Sequence, residues 1–202
     1  MKTLRLSGLL GCVLTLTLPV YAQESPLVEK IRDVSPDKKF AMRVSCSDEP
    51  ADPENINSEM INAIELVALP SKKVVAQLLP SNDVGTHFED VTLIWSADSK
   101  WCAFSYEQPR IGYTTVFRRV GSKFVAANKP EKLMIHLKDI KSEYVRPVRW
   151  LQPGVLVLKQ LTIFFHDDAE ANYEFTARFD AETGKFQVTS KREVAADEDT
   201  AE

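Results

Sequence analysis

One short stretch of this chain, Val34-Ser35-Pro36-Asp37-Lys38-Lys39-Phe40-Ala41, recurs as Trp95-Ser96-Ala97-Asp98-Ser99-Lys100-Trp101-Cys102. Both copies carry a Ser-x-Asp-x-Lys turn that leads into an apolar run opened by an aromatic residue. A repeated turn between apolar runs marks a repeated β unit, because a unit that cannot bury its own face must stack on its neighbours. The recurrence therefore constrains the fold before it says anything about chemistry.

The segments around the turns read as strands by their alternation and β-branched or aromatic content. In the first unit these are Phe40 to Cys46, Met60 to Leu69 and Val74 to Leu79. In the second they are Val91 to Trp95, Trp101 to Tyr106, Gly112 to Val120 and Lys123 to Ala127. A third unit starts near Val145, with Leu151-Gln152-Pro153-Gly154 in the place of the earlier turns. It continues through Val155 to Phe165, Tyr173 to Phe179 and Phe186 to Thr189. Tyr173, Phe175, Ala177 and Phe179 alternate with Glu174, Thr176, Arg178 and Asp180, which predicts a half-exposed strand. The expectation is a mainly β chain of about three consecutive four-stranded antiparallel units. One interruption is predicted: Leu133, Met134, Leu137 and Ile140 fall at helical spacing after Pro130 and Glu131, giving a short amphipathic helix on the sheet.

The turn wording resembles the β-propeller repeat of the TolB type, whose usual form is Ser-Pro-Asp-Gly-Lys before an apolar strand. Ser35 to Ala41 and Trp95 to Phe104 carry the resemblance; both have another residue at the glycine position, Lys38 and Ser99. The third copy has Pro153 where the aspartate belongs. The resemblance implies that Asp37 and Asp98 cap their turns by accepting backbone hydrogen bonds, which short Asp side chains suit. Propellers close with roughly four to eight blades. Three units therefore imply an incomplete propeller-like array, a ring completed by a second chain, or strands merged into a larger sheet.

Lys2 and Arg5, the apolar run Leu6 to Val20 and the small-residue site Val20-Tyr21-Ala22 read as a secretory signal over residues 1–22, with Gln23 as the first mature residue. The run falls short of the ~20 residues of a membrane span, and it continues past Cys12, unlike a lipoprotein signal. Residues 23–190 form the expected single β domain. The acidic segment 191–202 reads as a disordered tail. Export places the chain in the periplasm or outside the cell. Losing Lys2 and Arg5 makes the net charge of −4 more negative still. That balance argues against the clustered basic face that nucleic acid requires, and no later stretch is long and apolar enough for a transmembrane segment.

Two cysteines follow the signal, Cys46 and Cys102. An even count in an oxidising compartment permits a disulfide. The aligned units oppose it, since Cys46 lies about five residues farther along its strand, ~16 Å at strand rise, against the ~7 Å limit for bridged α-carbons.

Candidate chemistry is sparse. His166, Asp167 and Asp168, with Glu170, form the densest set of potential metal ligands, yet neighbouring strand residues point to opposite faces. The set reads as a solvated loop, and no metal or cofactor is expected. His87 with Glu89 and Asp90, and the group Asp48, Glu49, Asp52 and Glu54, likewise read as loop content; the calcium-loop spacing is absent. No nucleophile elbow or phosphate loop occurs. Trp95, Trp101, Phe104, Tyr106 and Trp150 could grip a peptide or sugar by stacking if exposed together, but they read as core, with Trp95 and Trp150 at corresponding positions of two units. The expected function is that of an exported noncatalytic β protein binding a protein or envelope partner, with a homodimer as one form. The alternative is a small secreted hydrolase or metal-dependent enzyme using His166.

Overall fold

The computed structural model describes residues 28–47, 60–79, 91–166 and 169–195. The signal segment, the 48–59 carboxylates, His87, Glu89, Asp90, Asp167, Asp168 and residues 196–202 lie outside them.

Among the described residues, twelve strands follow one another in three sets of four. The first set is β1 (Val28–Arg32), β2 (Phe40–Cys46), β3 (Ile61–Ala68) and β4 (Lys73–Gln77), an antiparallel sheet in chain order. The second is β5 (Val91–Trp95), β6 (Trp101–Gln108), β7 (Ile111–Val120) and β8 (Lys123–Ala126). The third is β9 (Ile140–Gln152), β10 (Val155–Phe164), β11 (Glu170–Phe179) and β12 (Phe186–Val194). Each set pairs antiparallel in sequence order. The chain is thus mainly β and contains three four-stranded units.

The second and third units merge into one eight-stranded sheet where β7 and β9 pair in parallel, Ile111 with Glu143 and Gly112 with Tyr144. Gly112 permits this junction. A Cβ there would stand 3.2 Å from the Tyr144 Cα, Cβ and ring, close enough that Tyr144 would have to shift by a few tenths of an ångström.

The core is divided between two layers, and β6 serves both. Its Cys102, Phe104 and Tyr106 enter a cluster with Phe40, Met42, Val44, Ile64 and Leu66 of the first unit. Its Trp101 and Ala103 enter a second cluster with Val145, Leu156, Leu158, Phe175, Ala177 and Phe179 of the third. Successive strand residues face opposite ways, so a strand buried on both faces reads as a continuous apolar run. Seven consecutive residues of β6 are buried.

Two expectations need correction, and the bridge that the aligned units oppose is absent. The helix between Pro130 and Lys141 does not form; a three-residue 3-10 turn, Pro130–Lys132, is followed by irregular chain, and Ile140 opens β9. So short a segment cannot repay helix nucleation, and the Gln160 side chain holds both backbone groups of Ile135. Its carbonyl accepts from the Ile135 N–H at 2.6 Å and its amide donates to the Ile135 carbonyl at 2.8 Å. Leu133 is fully buried all the same.

The tail does not begin at Lys191, because β12 runs to Val194. Lys191 pairs with Phe175 and sets its ammonium 4.4 Å from the Tyr173 ring centre, while Arg192 donates to Glu174 at 3.1 Å. The Cys46–Cys102 disulfide is not formed. Both thiols are buried in the first core cluster, Cys102 at the start of β6 and Cys46 at the far end of β2. Burial pushes the Cys102 thiol far up from its usual range. The strand β1, unmarked by any clear alternation in the sequence, edges the first sheet.

Candidate functional site

The two matching turns are built alike. The Ser35 hydroxyl donates to Asp37 Oδ1 at 2.7 Å and accepts from the Phe40 N–H at 3.0 Å, while Asp37 Oδ1 also accepts from the Lys39 N–H at 3.1 Å. In the second turn the Ser96 hydroxyl donates to Asp98 Oδ1 at 2.7 Å and accepts from the Trp101 N–H at 3.0 Å. Asp98 Oδ1 accepts from the Lys100 N–H at 3.1 Å. Lys38 and Ser99, at the glycine position of the related motif, both take positive φ, 58° and 56°. Gly154 holds the corresponding place in the third turn with φ 75°. Burial alone pushes the Asp37 carboxyl up, but hydrogen bonds from Ser35, Lys39 and Ser99 together hold it below its usual range.

The turns also bind one another. The Asp37 N–H donates to the Ser99 hydroxyl at 3.0 Å. The Trp95 indole donates to the Asp33 carbonyl at 2.7 Å, and the Trp150 indole donates to the Ile94 carbonyl at 3.3 Å. Asp33 and Ile94 hold the same position before their turns, so each indole reaches back one unit by the same route. Trp101, Phe104 and Tyr106 are buried, and Trp95 and Trp150 pack against the two clusters. These aromatics join units; they offer no stacking platform to a ligand.

Of the potential metal ligands named from the sequence, His166 and Glu170 lie among the described residues. His166 is exposed at the end of β10, and among the described residues no three His, Cys, Asp or Glu side chains converge to hold a metal. Glu143, unmarked in the sequence, stands half-buried with Oε2 unpaired. Burial raises its carboxyl above the usual range, against a lowering from His136. Glu107, buried, is gripped by two nitrogens of Arg146. On the first unit Arg43 bridges Glu29 and Glu65 across three strands, and Lys72 also reaches Glu29 at 2.7 Å. That side of the sheet, opposite the core, also carries the exposed Ile31 and Val74.

A concave site lies on the corresponding outer side of the third unit. The register sets Gln152, Val155, Arg178 and Gln187 in one row across β9 to β12. These residues, with Pro153, Phe179, Asp180, Ala181, Lys185 and Phe186, line a cleft of about 480 Å³. Both of its walls are fixed. The Phe179 N–H donates to the Gly154 carbonyl at 2.7 Å, docking the Pro153-Gly154 turn on β11. Asp180 Oδ1 accepts from the Glu182 N–H, the Thr183 N–H and the Thr183 hydroxyl, and Arg118 donates to the Ala181 carbonyl at 2.6 Å. The bonds from the Thr183 backbone and hydroxyl hold the Asp180 carboxyl below its usual range. Sequence alternation marked Arg178 as exposed; its alignment with Gln152 and Gln187 follows only from the strand register.

No protein-family model matches the sequence, and no curated protein matches it. Among solved structures, the crystal structure of endo-arabinase from Bacteroides thetaiotaomicron VPI-5482 is similar at 12% identity and TM-score 0.33. The likeness covers 74% of this chain and 55% of that one, so the chain spans about half the length of that enzyme, and it carries no argument about activity.

Proposed function

We propose that the protein is an exported, noncatalytic β protein that binds a partner in the cell envelope through the outer side of its third unit. The observation that carries this reading is the cleft formed by Gln152, Arg178, Lys185 and Gln187, whose walls are pinned by hydrogen bonds and whose floor is an apolar strand residue. Preformed concave sites with a few fixed polar groups are where ligands bind. The other charged clusters described are spent on cross-strand pairs and turn caps, which fits a scaffold. A ring completed by a second copy is one form of the same proposal.

Pull-down from envelope extracts with the chain beginning at Gln23 returns a partner above background, and Arg178→Glu weakens its capture. Absence of any partner across several extraction conditions overturns the reading. Light scattering after size exclusion decides the ring version: twice the mature mass supports it and a monomer rejects it. The alternative, a hydrolase or metal-dependent enzyme using His166, requires bound metal and a melting point altered by His166→Ala.

A further inference from the structure

We infer that the third-unit cleft is a subsite for an acidic sugar, with Arg178 taking the carboxylate and Gln152 and Gln187 taking ring hydroxyls. The assignment deepens the binding reading above and rests on one part of it, that this cleft is the binding site.

Charge comes first. Arg178 and Lys185 line the cleft, and neither side chain forms an ion pair with a described carboxylate. The one acid in the lining, Asp180, has an oxygen already committed to three donors of its own turn. Two unpaired cations beside one hydrogen-bonded carboxylate leave room for a single negative charge. A guanidinium prefers a planar carboxylate, to which it gives two parallel hydrogen bonds.

The neighbours of Arg178 define the rest of the ligand. Gln187 pairs with Arg178 across β11 and β12, and Gln152 lies beyond Val155 in the same row. Each amide both donates and accepts, which matches hydroxyl groups flanking the carboxylate on both sides. Val155, the buried member of the row, and Pro153 and Phe186 supply the apolar contact that the C–H face of a pyranose needs. The volume of about 480 Å³ suits one or two sugar rings. A peptide acid would also satisfy the cation, and its backbone groups would pair with either glutamine, so titration separates the sugar from the peptide.

The test titrates the mature protein with digalacturonate, with the neutral disaccharide galactobiose, and with an N-acetylated dipeptide acid, following backbone amide signals. The expected result is saturable movement of Val155, Arg178 and Gln187 with digalacturonate, at least about tenfold weaker binding of galactobiose, and weaker binding of the peptide. Arg178→Ala lowers digalacturonate affinity by about tenfold or more with an unchanged melting point, since the side chain is exposed and unpaired. Gln187→Ala gives a smaller loss with the same melting point. No movement, equal binding of the neutral sugar, equal binding of the peptide, or full affinity in Arg178→Ala overturns the sugar assignment. Capture of a partner without sugar binding overturns this inference alone; sugar binding without any captured protein overturns only the protein-partner reading.

Discussion

The first and third units meet the second in different ways. The first is a separate sheet, joined through one apolar cluster, the Asp37–Ser99 hydrogen bond and the Trp95 indole. The third has its own cluster and its Trp150 indole, but it also shares backbone pairing between β7 and β9. Side-chain docking tolerates many sequences if volume is kept, whereas at the backbone junction a Cβ on Gly112 would press on Tyr144 at 3.2 Å. The same four-stranded unit can therefore be added by packing alone or by fusing sheets.

The strongest way to break the first joint is Phe104→Ala. The ring is fully buried between units one and two, and its loss costs about 3–5 kcal/mol in denaturant unfolding. A loss below about 1 kcal/mol would mean the joint is looser than described. Gly112→Val attacks the other joint and costs about 1–3 kcal/mol, because Tyr144 must move. Hydrogen exchange should speed up at Glu143 and Tyr144 while β2 and β3 stay protected.

The turns give a finer contrast. Asp98→Ala removes acceptors from the Lys100 N–H and the Ser96 hydroxyl and costs about 1 kcal/mol. Lys38→Gly relieves a positive φ without losing a side-chain bond and stabilises by roughly 0.5–1 kcal/mol. Ser99→Gly relieves the same strain but forfeits the link to Asp37, so its gain is smaller or absent. Equal gains at both positions would show that the inter-turn hydrogen bond contributes nothing.

The smallest effect is pH-dependent. The Glu143 carboxyl is raised by burial, with His136 opposing, so the folded state holds its proton more tightly than the unfolded chain. Its contribution is present in full below the unfolded value near 4.5 and is lost as pH rises through the folded value. Glu143→Gln removes that loss. Melting at pH 7 should be equal or higher than for the native protein, and the difference should shrink toward pH 4.

The turns were legible in the sequence because their hydrogen bonds are local: Ser35, Asp37 and Phe40 lie within one loop. The alternation of β11 was legible for the same kind of reason, and Phe175, Ala177 and Phe179 are buried as it implies. What escaped depends on distant partners. The apolar spacing from Leu133 to Ile140 suggests a helix until Gln160 captures Ile135 from another strand. The extension of β12 past Lys191 rests on Tyr173 and Glu174 of its neighbour. The row Gln152, Arg178 and Gln187 exists only once three registers are set, so no local motif announces it.

The central claim is that three four-stranded units lie in series with the second covered on both faces. Native-state hydrogen exchange tests it most directly by comparing β6 with β12. Amides at Phe104 and Tyr106, in a strand buried on both sides, should exchange at the global unfolding rate, while those around Val188, in an exposed edge strand, should exchange much faster. Equal exchange in the two strands would contradict the arrangement.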